Sequence, residues 1–154
     1  MSEQQRKRSP WIKRILISGL VLLLAGAVII YFIFTEKFAD TSKSKADFTV
    51  HAMDLLHEFQ QSDSLANAKY AEKIIIVSGR VTETEAADTT INIRMTDTTT
   101  SAYIIFAFQQ QHLAEAKQLK VGDSVSIKGS CSGGIYSDIL ETETVSFKRC
   151  AINK

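Results

Sequence analysis

Histidines are the first residues here that could do chemistry, because a cluster of them could bind a metal ion. The chain has three, His51, His57 and His112. His51 and His57 are six residues apart, which on a helix is a rotation of about 240°, so the two rings would point in different directions. We therefore expect solvated histidines and no metal site.

Two pairs of carboxylates are the next candidates. Glu83 and Glu85 are separated by one residue, as are Glu141 and Glu143, and this spacing places both members of a pair on one face of a strand. Such a pair could coordinate a hard cation or act in acid–base catalysis. Neither pair is accompanied by a nucleophile or a further ligand, so we expect solvated strand faces, no catalytic residue and no cofactor.

An apolar segment precedes all of these residues and decides where they are located. Residues 15–34 carry no charge, and a helix of this length spans about 30 Å, the thickness of a bilayer's hydrocarbon core. Basic residues before the segment place its N-terminal side in the cytoplasm. The sequence predicts an inner-membrane protein with a basic cytoplasmic N-terminus at 1–14, a transmembrane helix at 15–34, a polar tether at 35–47 and an exported domain at 48–154.

Two other interpretations of the apolar segment are open. The small residues Ala25-Gly26-Ala27 could mark cleavage of a signal peptide after Ala27. The apolar run continues as far as Phe34, beyond that site, which favours an uncleaved anchor. A buried core helix is the second alternative, and the basic flank makes it the weaker one.

The charge of the exported part limits its partners. After residue 46 the chain has ten Lys and Arg residues and fourteen Asp and Glu residues, a net charge of −4, although the whole chain carries +1. Nucleic-acid-binding domains usually have the opposite imbalance, because their cationic side chains displace counterions from the phosphates. We therefore do not expect appreciable nucleic-acid binding at physiological salt.

Hydrophobic periodicity predicts a mainly β domain that begins with two short helices. Helical spacing of apolar residues covers 49–61, with Thr49 as a cap, and a second helix is predicted at 64–70. Five strands then follow, with a helix at 109–119 between the third and the fourth. The inward residues of the first three strands are predicted to be Ile75, Val77, Gly79 and Val81, then Ile91, Ile93 and Met95, then Ile104, Phe106 and Phe108.

This order of elements is that of the five-stranded Greek-key OB barrel. Gly79 would allow a sharp corner in such a barrel, since it has no Cβ. The fourth strand is predicted at 123–131, Ser132-Gly133-Gly134 as a hairpin turn, and 136–150 as a final extended segment that bends near 141–143. A short β-sandwich is the structural alternative.

Two stretches of the sequence carry a resemblance to a known family. Residues 66–81, and residues 119–133 with the pattern L-K-x-G-D-x-V-x-I-K-G-x-C-x-G, resemble the bacterial tRNA-anticodon-binding-like (tRNA_anti-like) family. The end of the domain at 145–150 is similar to the family's closing V-x-L-x-x-C, although Thr144 stands where an acidic residue is expected. The resemblance covers roughly residues 50–152 and implies an OB barrel in a membrane-anchored or exported protein. It does not imply tRNA binding.

The expected binding face of an OB barrel is the exposed side of its second and third strands. In our register this face consists of Asn92, Arg94, Thr96, Tyr103 and Ile105. A single arginine and a single tyrosine make a poor platform for stacking bases. We therefore expect a non-catalytic interaction module of the bacterial envelope, with a protein, peptide or glycan as partner. Nucleic-acid or oligosaccharide binding is the alternative, and the sequence indicates no oligomeric state.

The two cysteines are Cys131 and Cys150. Both follow the membrane segment, and an exported domain meets an oxidising compartment, so we expect them to form a disulfide. Two buried reduced cysteines are the alternative. A redox-active pair is less favoured, because the chain has no C-x-x-C motif.

Overall fold

The computed structural model describes most of the chain as two compact units, residues 1–38 and 39–154. The described ranges are 10–35, 40–87 and 89–154. Part of the predicted basic N-terminus, up to residue 9, lies outside the described residues, and so does the part of the predicted tether at 36–39.

The described residues of the first unit form the helix α1, Pro10–Thr35, of 26 residues. Its window Arg14–Tyr31 has a mean hydropathy of 2.3 and is long and apolar enough to cross a membrane. The helix predicted at 15–34 is therefore present and extends beyond both predicted ends. Length and composition make α1 a candidate span, and its insertion in a membrane stays a prediction.

The second unit combines a sheet of seven strands with three helices. A short 3-10 turn at Thr41–Lys43 precedes these elements, and another, Gln110–His112, leads into α4. In chain order the elements are β1 Phe48–His51, α2 Ala52–Gln61, α3 Asp63–Tyr70, β2 Ile74–Arg80, β3 Glu83–Ala86, β4 Ile91–Thr96, β5 Tyr103–Phe108, α4 Leu113–Ala116, β6 Ser124–Ser137 and β7 Thr142–Ile152.

The two N-terminal helices pack as their periodicity predicts. The four predicted inward residues of α2, Ala52, Leu55, Leu56 and Phe59, are all buried. Ser62 caps α3, since its hydroxyl accepts a hydrogen bond from the Leu65 N–H at 3.4 Å. The predicted helix start at Thr49 is wrong. Residues 48–51 instead form β1, which pairs parallel with β2, and the Phe48 ring packs edge-on against Tyr70 with a centroid separation of 5.1 Å.

The sheet differs from the predicted barrel in strand number and in closure. Its strands are ordered β1-β2-β6-β7-β5-β4-β3, and β1 and β3 at the two ends are not paired with each other. The sheet has seven strands instead of the five predicted. One additional strand is β1, and the other is β3, which follows β2 where a single first strand was predicted. The chain turns between β2 and β3, where Val81 N–H donates to Asp123 O at 2.9 Å and Thr82 N–H donates to Arg94 O at 2.9 Å.

The core lies on the inner face of the sheet, against α2 and α3. The predicted inward residues of β4 and β5, from Ile91 to Phe108, are all buried. Gly79 lies at a close approach, because a Cβ added there would stand 2.6 Å from Met95 Sδ and 2.9 Å from Ala52 Cβ. A glycine is therefore favoured at this position because Met95 of β4 and Ala52 of α2 both pack closely against it.

Strand β6 is longer than predicted, and the predicted turn at 132–134 is wrong. The strand passes through these residues with shifts in its pairing to β7, and Gly133 adopts a φ of +105°. Asn67 of α3 fixes this segment: its side-chain amide donates to Gly134 O at 2.9 Å, and its carbonyl accepts from Gly134 N–H at 2.9 Å. The turn between β6 and β7 falls at 138–141 instead.

The segments on either side of the sheet also differ from expectation. The helix predicted at 109–119 is shortened to the 3-10 turn and α4. Residues 40–47, the second half of the predicted tether, belong to the folded unit. Thr41 is buried there, and Lys128 Nζ donates to the carbonyls of Ser42 at 3.0 Å and Ser44 at 3.2 Å.

The predicted disulfide does not form: Cys131 and Cys150 are both buried free thiols. Cys131 lies opposite Phe147, whereas Cys150 lies against Gly129, where an added Cβ would stand 2.7 Å from its Sγ. The cysteines are thus staggered by about two residues, or about 7 Å along the strand. With the spacing between strands, their Cα atoms are about 8 Å apart, beyond the ~4.4–6.8 Å that a disulfide spans.

We predict that both thiols are reduced and react slowly in the folded protein. Burial raises the pKa of the Cys131 thiol, and it raises the pKa of the Cys150 thiol well above its ordinary value, so little thiolate is present to react. Alkylation without reductant, followed by mass mapping, should show little labelling of the native chain and full labelling at both positions after denaturation. A disulfide-linked peptide containing both cysteines would contradict the observed register.

Candidate binding face and acidic cleft

Strands β4 and β5 bring the predicted binding residues together on one surface. Arg94 pairs with Ile105, and Thr96 pairs with Tyr103, while Asn92 lies opposite Ala107. All five predicted side chains are half-buried and lie on the face opposite the core. Their placement on one face is as predicted, and their role in binding stays a prediction.

Arg94 at the centre of this face already has charged partners. Its Nη1 lies 2.8 Å from Glu83 Oε2 and its Nη2 lies 3.8 Å from Glu85 Oε2. Its guanidinium carbon also lies 5.1 Å from the centre of the Tyr103 ring, within range of a cation–π contact. The two carboxylates reach Arg94 because β3 pairs with β4 and presents every second residue to the same side. The cluster therefore carries a net charge of −1.

Thr96 is held by hydrogen bonds at the other end of the face. Thr82 Oγ1 accepts from the Thr96 N–H at 3.0 Å, and it lies 3.0 Å from Thr96 Oγ1 and 3.1 Å from Arg94 O. These contacts fix the backbone where the chain turns into β3. The face is thus a rigid, polar surface with a single aromatic ring among its predicted residues.

A second site is a cleft of about 450 Å³ beside the turn end of the β6–β7 hairpin. Three carboxylates, Asp63, Glu141 and Glu143, line it. Glu143 is only 3% exposed. Burial, together with the neighbouring Asp63 carboxylate, raises the pKa of Glu143 to about 7.

Two polar atoms beside this cleft are buried without hydrogen-bond partners among the described residues. They are Glu143 Oε1 and Thr142 Oγ1, and both residues line the cleft. Buried polar atoms without a partner are uncommon in folded proteins, because their desolvation is not compensated. Glu143 is therefore a buried carboxylate of the cleft whose desolvation is not fully compensated by hydrogen bonds.

The sequence prediction for the second carboxylate pair is wrong in this respect. Glu141 is exposed in the turn, with a φ of +49°, whereas Glu143 is buried in β7. The pair does not share a solvated face. Glu83 and Glu85 do share an exposed one, as predicted. The two residues differ because the turn places Glu141 in solvent while β7 places Glu143 beside Asp63 of a distant element, and the spacing of the pair in the sequence does not indicate this.

The histidines do not converge. His112 Nε2 lies 2.9 Å from Asp40 Oδ1, and this hydrogen bond, with those from Ser42, holds the pKa of Asp40 well below its ordinary range. His51 lines a separate groove with Arg80 and Ser78. Within residues 10–35, 40–87 and 89–154, no three His, Cys, Asp or Glu side chains are grouped to hold a metal ion.

Comparison with known proteins gives one family match. A sequence model of the tRNA_anti-like family matches residues 6–143. No curated protein matches the sequence.

Several solved structures match parts of the chain. A Klebsiella pneumoniae protein named "putative nucleic acid-binding lipoprotein" matches with a TM-score of 0.54 and 16% identity over 68% of this chain and 91% of that chain. An OBody bound to hen egg-white lysozyme matches with a TM-score of 0.42 and 15% identity over 56% and 87% of the two chains. An aspartyl-tRNA synthetase from Entamoeba histolytica matches with a TM-score of 0.40 and 10% identity over 71% and 25%. At these identities the first likeness shows the fold, and the other two carry no conclusion.

The raised pKa of Glu143 predicts that the folded unit loses stability as pH rises. The native state holds this proton more tightly than the unfolded state, so the free energy of unfolding should fall by about 3 kcal/mol from below pH 4.5 to above pH 7. Glu143→Gln should remove that slope. Denaturant titrations followed by circular dichroism from pH 4 to 8 would measure it, with Glu141→Gln as the matched control. Equal slopes in the wild type and Glu143→Gln would contradict the prediction.

Proposed function

The chain belongs to the tRNA_anti-like family, and from its OB-type fold we propose that it is a non-catalytic interaction module anchored in the bacterial inner membrane, with its folded unit exported. The binding face in this proposal is the exposed side of β4 and β5. The partner is a protein, peptide or glycan of the envelope.

The N-terminal helix supports the anchoring part of the proposal. Helix α1 continues without a break from Pro10 to Thr35, past Ala27, where a signal peptide would be cleaved. The basic residues before it and the acidic excess after it favour an exported folded unit.

The observation that carries the functional part is the pairing of Arg94 with Glu83 and Glu85. A phosphate backbone approaching this face would meet a guanidinium whose charge is already compensated and two exposed carboxylates that repel it. Nucleic-acid binding draws most of its non-specific affinity from free cationic groups. A neutral or weakly polar partner would not be repelled by the two carboxylates. Tyr103, Thr96 and Asn92 offer such a partner an aromatic ring and hydrogen bonds.

Nucleic-acid or oligosaccharide binding is the alternative function, and a different surface favours it. Arg80 forms no ion pair with the described residues and lies in a groove with His51 and the Ser78 and Ser126 hydroxyls, which are 2.9 Å apart. A cation beside hydroxyl groups suits a phosphate or a sugar. The name of the Klebsiella pneumoniae structure is consistent with this alternative.

Site-specific photo-crosslinking in native membranes tests the proposal. A benzophenone amino acid in place of Ile105 should give adducts that protease removes and nuclease leaves intact, because the face is expected to contact a protein or peptide. The same group in place of Val121, an exposed apolar residue before β6, is the matched control and should give none of these adducts. Nuclease-sensitive adducts at position 105, or no adduct there, would contradict a protein-binding face.

A further inference from the structure

The β6–β7 hairpin exposes an unusual number of apolar side chains at its end. Residues 135–140, called the hairpin tip below, include Ile135 at 72% exposure, Tyr136 at 51%, Ile139 at 93% and Leu140 at 66%. Single exposed apolar residues are common on protein surfaces, whereas several within one short segment indicate a contact surface.

The hairpin tip is continuous with the acidic cleft. Tyr136 belongs to both, and Glu141 and Glu143 follow the tip directly in sequence while lining the cleft. Asp63, at the start of α3, also lines the cleft. Among the described residues, none of those that line the cleft is Lys, Arg or His. The combined surface is therefore apolar at its outer end and uniformly acidic at its base.

The carboxylates at the base of this surface have no positively charged partner among the described residues that line the cleft. A cationic group bound there would compensate them. Asp63 and Glu143 both line the cleft, and two ionised carboxylates so placed repel each other. Glu143 Oε1 and Thr142 Oγ1 are also buried without hydrogen-bond partners among the described residues. An ammonium or guanidinium group in the cleft would compensate the carboxylates and donate several hydrogen bonds.

We propose that the hairpin tip and the acidic cleft together bind a cationic peptide segment of a protein partner, with a Lys or Arg side chain in the cleft and apolar side chains on the tip. Charge complementarity selects this occupant. The residues of this surface are different from the five of the β4–β5 face, so the inference extends the proposed function and does not depend on a partner at that face.

A bilayer is a less suitable occupant for the hairpin tip. Asp138 and Glu141 flank Ile139 and Leu140, and acidic residues oppose contact with anionic headgroups.

The same chemistry makes binding depend on pH. A bound cation favours the ionised form of Glu143, so affinity should rise between pH 6 and pH 8 as this carboxyl loses its proton. The titratable groups that line the cleft with it are Asp63 of α3, Tyr136 of β6 and Glu141 of the turn, while Gln60 of α2 and Thr100 are uncharged.

The test uses the full chain in nanodiscs of zwitterionic lipid, with fluorescence anisotropy of a short labelled peptide in which leucine alternates with lysine. At pH 8 this peptide should bind at least about tenfold more tightly than its glutamate counterpart. Glu143→Gln should weaken binding about fivefold or more at pH 8 and abolish the difference between pH 6 and pH 8. Ile139→Ser should weaken binding at both pH values. Asp54→Asn, an exposed position on α2, is the matched control and should bind like the wild type.

Several results would overturn the proposal. Equal affinity for the lysine and glutamate peptides would contradict it, and so would unchanged affinity in Glu143→Gln. Equal binding by empty nanodiscs would also contradict it, because the peptide would then bind the lipid. If Glu143→Gln does not fold, Asp63→Asn tests the role of the cleft independently. This substitution should also weaken peptide binding. Because no step involves Ile105, crosslinking at the β4–β5 face and peptide binding at the hairpin can succeed or fail separately.

Discussion

The pairing of β6 with β7 is the interaction on which the rest of the folded unit depends. The two strands run antiparallel from the pair Ile127 and Ile152 to the pair Ser137 and Thr142. Strand β2 adds to the free edge of β6, and β5 adds parallel to the free edge of β7. Their register sets the separation of the two cysteines, the length of the exposed hairpin and the burial of Glu143.

Charge placement then determines what this fold can bind. On the β4–β5 face the arginine is compensated by two carboxylates of β3, so the surface on which OB folds commonly hold oligonucleotides is polar and slightly acidic. At the hairpin, three carboxylates line a cleft that no basic residue shares. The two surfaces have the same electrostatic sign, and both disfavour an anionic polymer.

Sequence patterns predicted the parts of the structure that are determined locally. Strands β4 and β5 alternate cleanly, so their inner residues and the exposed face around Arg94 could be assigned from period alone. The errors lie where a distant residue decides the outcome. Asn67 fixes Gly134 within a long strand rather than a turn, β2 recruits residues 48–51 into the sheet, and Asp63 changes the environment of Glu143.

The charges on both surfaces lead us to propose that this OB-type domain does not bind nucleic acid. The most direct test is an anisotropy titration of labelled single-stranded DNA and RNA oligonucleotides with the full chain in zwitterionic nanodiscs, at low and at physiological salt. We expect no affinity at physiological salt beyond the ~10⁻⁴ M of weak non-specific binding. Micromolar binding at physiological salt that strengthens steeply as salt is lowered would contradict it.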